Sequence, residues 1–186
     1  PETGMGGGTQ SVELISNGDF SNNDADWMTD NNPESVAGCE IPDDDSVVFD
    51  VENEYMLNDI SQGPNAHVLY QDFDVPSDLS DAVFSIAYAQ DNPEPLDPDN
   101  VTDIIKDCLD GNDDGLPQNA LRIDIVDASA DVFTAAILFE LATPDSPAGD
   151  PFDPAFDVIT VDDGDLLGFL QTQAGNTLRL RIGKVE

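Results

Sequence analysis

Basic residues are almost absent from this sequence. Its 186 residues include five Lys and Arg against 40 Asp and Glu, so the formal net charge is −35. A chain of this charge is repelled by polyanions, which excludes nucleic acid and anionic membrane surfaces as partners. Long apolar runs are also lacking, and none approaches the roughly 18–20 residues of a membrane span. We therefore predict neither nucleic-acid binding nor membrane insertion.

Histidine is equally scarce, since His67 is the single one in the chain. A histidine-based zinc site or a Ser-His-Asp triad would have to draw on this residue alone. Neither G-x-S-x-G nor H-E-x-x-H accompanies it. With 40 acidic residues, chance carboxylate pairs are expected and indicate no glycosidase chemistry. We predict a structural or surface role for His67, and a chain that is not an enzyme.

Cysteine occurs twice in the chain and tryptophan once. Cys39 and Cys108 lack the C-x-x-C spacing of a metal site, and in a secreted chain we predict that they form a disulfide. Two separate buried thiols are the alternative. Trp27 has two interpretations as well: an anchor of the core, or a platform on which a sugar ring stacks.

The excess of acidic residues leaves two physical explanations open. A high-salt habitat would screen the repulsion, because the Debye length falls to about 3 Å at 1 M salt. Bound calcium would neutralise particular carboxylate clusters instead. Disorder would be a third explanation, but apolar residues alternate regularly through the chain, which argues against it.

Alternating apolar residues predict many short strands separated by Gly, Pro and Asp turns. The clearest is the last, where Leu178, Leu180 and Ile182 alternate with Arg179 and Arg181. The predicted strands lie at 12–15, 47–51, 67–75, 83–89, 121–125, 132–141, 156–161 and 178–182, and a short helical turn lies at 166–173. This pattern predicts an all-β, antiparallel β-sandwich with little helix.

The predicted domain runs from 11 to 186 and follows a flexible Gly-rich arm at 1–10. A long acidic, proline-rich insertion interrupts the sandwich at about 90–119. Pro93, Pro95 and Pro98 prevent regular structure in its first part.

The insertion contains a calcium-type motif, Asp110-Gly111-Asn112-Asp113-Asp114-Gly115. Oxygen ligands at the first, third and fifth positions of a tight loop converge on a hard cation, and a glycine permits the sharp bend. These six residues resemble the calcium loops of EF-hand and dockerin type, although position twelve is Leu121 rather than Glu. We therefore predict calcium ligands at Asp110, Asn112 and Asp114, completed by Asp107 or Asp113. An ordinary acidic turn is the alternative.

Three segments carry a resemblance to a known family. They are Val12-Glu13-Leu14-Ile15-Ser16-Asn17-Gly18-Asp19-Phe20 followed by Trp27, then Val68-Leu69-Tyr70-Gln71-Asp72-Phe73-Asp74-Val75, and finally Ala174-Gly175-Asn176-Thr177-Leu178-Arg179-Leu180-Arg181-Ile182. Together they resemble the landmarks of jelly-roll carbohydrate-binding modules with the galactose-binding-like fold. The residues Asn17-Gly18-Asp19-Phe20 themselves predict a turn in which Gly18 supplies a positive φ. The resemblance implies a jelly roll that opens with a strand followed by this turn. It also implies calcium ligands at Glu13 and Asp19.

The resemblance also implies that a strand is missing, because the family's closing V-D-D/N-V strand has no counterpart after Ile182. An incomplete jelly roll exposes an apolar edge that pairs with other chains. We therefore expect the vacancy beside the last strand to be filled from outside, by a strand of another copy, with its Gly4–Val12 arm as a candidate donor. A break in the chain, with the missing piece elsewhere, is the alternative.

These observations favour a non-catalytic structural or adhesive subunit outside the cell or on its surface, secreted with its leader removed. It would be stabilised by calcium and would assemble with other copies, or with another extracellular protein, into filaments or tubes. The alternative is a secreted carbohydrate-binding module with a glycan partner.

Overall fold

The architecture comes from a computed structural model of the chain. The structure describes residues 12–22, 25–31, 47–50, 54–57, 66–88, 120–142 and 157–185. The strands are β1 (Met28–Asn31), β2 (Val47–Asp50), β3 (Glu54–Leu57), β4 (Ala66–Asp74), β5 (Phe84–Tyr88), β6 (Ala120–Asp127), β7 (Ile137–Ala142), β8 (Asp157–Val161) and β9 (Thr177–Val185), and the helix is α1 (Gly164–Thr172). The predicted all-β class with little helix is confirmed.

Five strands form the main sheet, in the order β1-β4-β9-β6-β7, and all neighbours are antiparallel. Two further antiparallel pairs, β2–β3 and β5–β8, stand outside this sheet. The β6–β7 pairing is interrupted by register shifts on both sides of the Asp124–Ile125 segment. Such irregularities bend and twist a strand locally.

One face of the main sheet builds the hydrophobic core. Leu178, Leu180 and Ile182 of β9 are buried there, beside apolar residues of β4 and β6. The β5–β8 pair contributes Phe84, Ile86 and Val161 to the opposite layer. Helix α1 completes that layer with Leu166, Leu170 and Phe169. The result is a sandwich-like arrangement in which apolar side chains of two layers meet.

Strand β9 lies inside the sheet, which corrects the expectation of a vacancy beside it. It pairs with β4 from Ala66↔Val185 to Asp74↔Thr177, and with β6 from Ala120↔Val185 to Asp127↔Leu178. Both sides of the Leu178–Ile182 segment are therefore occupied by the same molecule. The absence of a family motif after Ile182 did not predict the pairing, because strands far apart in sequence supply both neighbours.

Two predicted strands differ in the structure. Residues 12–15 form no strand, since Leu14 and Ile15 lie in a bend just before the turn, and the first strand is Met28–Asn31. Residues 132–134 form a turn, so only Ile137–Ala142 of the predicted 132–141 strand is extended. This strand lies at the edge of the described main sheet. Asp131 explains the turn, because its side chain accepts hydrogen bonds from the backbone N–H groups of Phe133 and Thr134.

No helix within the described ranges is long and apolar enough to cross a bilayer. Several predictions fall outside those ranges and stay predictions: the arm at 1–10, the insertion at about 90–119, and the Cys39–Cys108 disulfide. The calcium-type motif also falls outside them, with its predicted ligands Asp107, Asp110, Asn112, Asp113 and Asp114.

Candidate functional site: the opening turn and the arginine-bearing sheet face

The opening turn is built around Asn17. This residue adopts a left-handed backbone conformation with φ of 51°, and its carbonyl accepts from Phe20 N at 3.1 Å. Its side chain donates to the Ala25 carbonyl at 2.9 Å and accepts from Asn22 N at 3.0 Å. Asparagine tolerates this conformation better than most residues do. The expectation that Gly18 would supply the positive φ was wrong, since Asn17 does so.

Gln71 of β4 fastens this turn to the main sheet. Its Oε1 accepts from Ser16 N at 2.6 Å, and its Nε2 donates to the carbonyls of Ser16 (2.9 Å) and Asp26 (3.0 Å). The side chain is buried among core residues, yet these three bonds engage both of its polar atoms. Burying an amide is tolerated only when such bonds are made. Two of the sequence landmarks, the turn and the β4 strand, are thus in direct contact.

Trp27 packs against the core and closes the turn. Its indole N–H donates to the Asn17 carbonyl at 3.0 Å, and its ring lies 5.4 Å from that of Phe20, tilted by 45°. Because the polar edge is already used and the ring is half-buried, this geometry suits the anchor interpretation. A sugar could reach only part of the ring.

The two calcium ligands that the resemblance implies, Glu13 and Asp19, both lie at the protein surface. Glu13 is exposed. Asp19 is exposed as well, and its Oδ1 accepts from Ser21 N at 3.1 Å. The backbone and hydroxyl of Ser21 lower the pKa of Asp19 below its ordinary value by hydrogen bonding. Within the described ranges, no three or more His, Cys, Asp or Glu side chains are grouped as a metal site would require.

The second feature is the sheet face that carries all three arginines of the chain. Arg181 forms a bidentate pair with Asp124, at 2.9 and 2.8 Å, and donates to the Val132 carbonyl at 2.7 Å. Both side chains are buried, 0% and 2% exposed. The bidentate geometry and the third bond satisfy charges that would otherwise be costly to desolvate.

Arg179 repeats this arrangement closer to the surface. It pairs with Asp72 through two bonds of 2.6 and 3.1 Å, and it donates to the carbonyls of Ala128 and Ala130. Its guanidinium carbon lies 4.6 Å from the centre of the Tyr70 ring, within cation–π range. The hydrogen bond to Asp72, followed by the charge of that carboxylate, raises the pKa of Arg179.

Arg179 and Arg181 both donate hydrogen bonds to the segment that connects β6 to β7. Carbonyls of Ala128, Ala130 and Val132, all between β6 and β7, accept from them. The same connection is braced at its turns by Asp127 and Asp131, whose Oδ1 atoms accept from nearby backbone N–H groups. The part of this face around Arg179 and Arg181 is therefore covered by a segment with many polar bonds, while Asp72, Asp74 and Glu140 on the same face stay exposed.

The alternation in β9 predicted a charged face, but it did not reveal that this face would be covered. The missing information is the register, which sets Arg181 opposite Asp124, and Arg179 opposite Asp72. A signal was present in the sequence: Asp72 and Asp124 also lie on predicted strands. Gln71 gave a weaker signal. It occupies an inward position in the alternation of its strand, and a buried amide requires hydrogen-bond partners.

Comparison of the chain with protein-family models, with curated proteins and with solved structures finds no significant match.

Proposed function

We propose that this chain is a non-catalytic, extracellular structural or adhesive module, a β-sandwich of the galactose-binding-like, jelly-roll type that associates with other copies in the presence of calcium. Because β4 and β6 occupy both sides of β9, a strand vacancy does not support this proposal. Its basis is instead the way in which charge is distributed between the inside and the outside of the fold.

One observation carries the proposal: all three arginines are turned into the fold. Arg122 and Arg181 are 4% and 0% exposed, and the Arg179 side chain is 12% exposed. Carboxylates remain outside, among them Asp74, Asp127, Asp131, Glu140, Asp162 and Asp165. A surface of this kind repels its own copies, because the arginine cations are turned inward, away from the outer carboxylates. Divalent cations are the counter-charges that could join such surfaces, because carboxylate oxygens are the ligands calcium prefers.

A strand donated to the main sheet by another copy would have to join one of its outer strands. Among the described elements β1 pairs only with β4, and β7 only with β6, so these two are the outer strands. The Gly4–Val12 arm stays a candidate donor under this proposal, but its acceptor would be β1 or β7, not β9.

The test is sedimentation velocity of the full chain in calcium, in magnesium, and in sodium chloride matched for ionic strength. We expect millimolar calcium to produce species larger than a monomer, and chelator to reverse the effect. Association that is equal in all three salts would point to screening of the charge. A monomer under every condition would contradict the proposal.

A carbohydrate-binding module is the second candidate, and one observation favours it. The three segments that resemble the family come together in space: Gln71 of β4 bonds to the opening turn, and β4 pairs along its whole length with β9. Independent sequence landmarks that meet in one structure support a shared fold. The experiment is a glycan array probed with the purified chain, followed by titration calorimetry of any positive glycan.

The hydrogen bond from Trp27 to Asn17 permits a substitution that distinguishes the two interpretations of Trp27. Trp27→Phe removes the indole N–H that bonds to Asn17 but keeps an aromatic ring. If Trp27 is an anchor, this variant loses stability and keeps any glycan affinity. If Trp27 is a stacking platform, the affinity falls while the unfolding midpoint changes little. Silence across the array would remove the glycan-binding candidate.

A further inference from the structure

The opening turn contains the one Asn-Gly pair of the sequence, Asn17-Gly18. In such a pair the backbone nitrogen of the glycine can attack the carbonyl carbon of the asparagine side chain, because no side chain on the glycine hinders the approach. Water reaches both residues, since Gly18 is exposed and Asn17 is half-buried. This pair is therefore the point of the described chain most prone to spontaneous loss of a side-chain amide.

The backbone of the turn does not require a glycine at position 18. The left-handed conformation belongs to Asn17, and the glycine with a positive φ in the described ranges is Gly175. The nearest heavy atoms to a Cβ added at Gly18 would be the carbonyl oxygen and Cγ2 of Ile15, at 3.8 and 3.9 Å, which are ordinary contact distances. The glycine thus supplies an unhindered nitrogen beside Asn17 rather than a special backbone conformation.

In the folded turn, hydrogen bonds hold both ends of the Asn17 amide. Its Nδ2 donates to the Ala25 carbonyl at 2.9 Å, and its Oδ1 accepts from the backbone N–H of Asn22 at 3.0 Å. When the Gly18 nitrogen attacks, the amide loses its planarity and its nitrogen departs, so the bond to Ala25 has to break. The closed turn therefore restrains the very group that has to react.

Gln71 attaches this turn to the main sheet on both of its sides. It accepts from Ser16 N at 2.6 Å, and it donates to the carbonyls of Ser16 and Asp26 at 2.9 and 3.0 Å. These two residues flank the segment in which the Asn17 amide is held. Gln71 is 4% exposed and lies within β4, so the attachment is made to a firm part of the fold. Opening of the whole turn breaks these bonds as well as those of the amide.

We propose that Asn17 is a site of spontaneous deamidation whose rate is controlled by the attachment of the turn to Gln71. When the turn opens, the Gly18 nitrogen bonds to Cγ of Asn17 and a five-membered succinimide forms. The side-chain nitrogen leaves as ammonia, taking up the proton that Gly18 loses. Water then opens the ring at either carbonyl, which leaves aspartate or isoaspartate. The reaction consumes only water, and the inference requires neither self-association nor calcium.

Either product destabilises the closed turn. An aspartate at position 17 has no N–H to donate to the Ala25 carbonyl, and its carboxylate oxygen is repelled by that carbonyl. Isoaspartate adds a carbon to the main chain, which displaces the Asn17 carbonyl. That carbonyl accepts from Phe20 N at 3.1 Å and from the indole of Trp27 at 3.0 Å. Deamidation would thus convert a brief opening of the turn into a lasting one.

The experiment measures how fast the peptide that contains Asn17 is converted, by mass spectrometry after digestion with pepsin at acidic pH. The full chain is first incubated at mildly alkaline pH, either folded or in guanidinium chloride. We expect the folded wild type to react at least about tenfold more slowly than the unfolded chain, which corresponds to an opening free energy of about 1.4 kcal/mol. Gln71→Leu should raise the rate in the folded chain by about threefold or more. Equal rates in the folded and unfolded wild type would overturn the proposal, and so would a folded Gln71→Leu variant that reacts like the wild type.

Gly18→Ala is the matched chemical control. Its methyl group fits beside Ile15 but hinders the approach to the nitrogen, so the rate in guanidinium chloride should fall by about tenfold. If Gly18→Ala reacts as fast as the wild type there, the conversion does not proceed through this nitrogen and the proposal is wrong. Should Gln71→Leu fail to fold by circular dichroism, Asn22→Pro takes its place, because it removes the N–H that the Asn17 amide accepts, at an exposed residue. A folded Asn22→Pro variant that reacts no faster than the folded wild type would also contradict the proposal.

Discussion

Arg181 illustrates how this very acidic chain uses a cation. The guanidinium and the Asp124 carboxylate are almost completely buried and face each other across β9 and β6. A buried ion pair need not add net stability, because desolvation offsets much of the Coulomb attraction. One alignment of β6 on β9 brings these two side chains together, so we expect the pair to favour that register over the others.

Removal of one member of that pair should be severe. Arg181→Met leaves the Asp124 carboxylate buried without its partner, and we expect a loss of about 3–5 kcal/mol in the free energy of unfolding. Urea denaturation followed by circular dichroism measures it. The double variant Arg181→Met/Asp124→Leu should recover much of this loss, because no charge is then left buried. A single variant within about 0.5 kcal/mol of the wild type would show that the pair is not needed.

Arg179→Met is the matched control for that substitution. Its partner Asp72 keeps about a third of its side-chain surface in water and can be solvated when the guanidinium is lost. We therefore expect a smaller destabilisation than at Arg181. Equal losses at the two positions would mean that the bonds to the β6–β7 connection, which both arginines make, outweigh burial of the carboxylate.

Asp127 offers a pH-dependent prediction. The hydroxyl of Ser129, followed by its backbone N–H, lowers the pKa of Asp127, with a further contribution from Arg179. Because the folded-state pKa lies below the unfolded value of about 3.9, the stabilisation is complete above that value. It is lost as the pH falls through the folded-state pKa.

Ser129→Ala should raise the pKa of Asp127 toward its ordinary value, measured by NMR titration of the carboxyl carbon. The bond that contributes most is removed while the backbone bond stays. Asp19 is the internal control, because its pKa is lowered by Ser21 and should not move in this variant. A pKa of Asp127 that is the same in the variant and the wild type would contradict the prediction.

At the scale of elements, α1 begins at a defined cap. The side chain of Asp163 accepts a hydrogen bond from Leu166 N at 3.2 Å, and Asp165 adds a second carboxylate in the first turn. Both carboxylates lie at the positive end of the helix dipole. The helix buries Leu166 and Leu170 in the core, so its first turn also positions part of the second layer.

Asp163→Ala should destabilise the protein by about 1 kcal/mol, measured as a shift of the urea midpoint. The substitution also removes a negative charge from a chain that repels itself, which acts in the opposite direction. Asp162→Ala removes the same charge one residue earlier without removing the cap, and we expect it to be neutral or slightly stabilising. The difference between the two variants therefore isolates the cap, and equal midpoints would mean that the cap contributes nothing.

Most strands could be predicted from local alternation, because a residue's inward or outward direction is set by its immediate neighbours. Strands β2, β4, β5, β6, β8 and β9 lie where the pattern placed them. The failures have local causes too. Residues 12–15 carry strand-forming side chains, but Asn17 and Gln71 hold the segment that follows in a turn. Asp131 diverts residues 132–134 in the same way, by accepting backbone hydrogen bonds.

Strand order was beyond the reach of the sequence, because local patterns do not encode which strands pair. The position of β9 between β4 and β6 depends on contacts across more than 50 residues in sequence, such as that of Arg181 with Asp124. The candidate site shows the same limit. The chemical types of Gln71 and Arg179 could be read, but their partners in the turn and in the β6–β7 connection could not.

At the scale of the whole molecule, the dominant quantity is the charge of −35. Self-repulsion of this size destabilises a compact state. With all three arginines committed inside the fold, the outer carboxylates must be balanced largely by ions from solution. The two explanations for the acidity, salt adaptation and calcium binding, therefore differ in one measurable respect: whether the identity of the cation matters beyond its contribution to ionic strength.

Thermal unfolding in sodium chloride measures how much charge screening alone raises the stability of the fold. Between 0.1 M and 1 M salt the Debye length shortens from about 10 Å to about 3 Å, so repulsion between surface carboxylates fades and the melting temperature should rise. A melting temperature that does not depend on salt would contradict the claim that self-repulsion limits stability.

Calcium at constant ionic strength then tests for specific binding. A site occupied at a hundred times its dissociation constant adds about 2.7 kcal/mol to the free energy of unfolding, beyond any screening. Magnesium is the matched control, because it carries the same charge but demands strict octahedral geometry and keeps its water. If calcium raises the melting temperature clearly more than magnesium does, the chain holds a calcium site. If the two ions and the matched sodium chloride act alike, screening accounts for the acidity, and the calcium part of the proposed function is wrong.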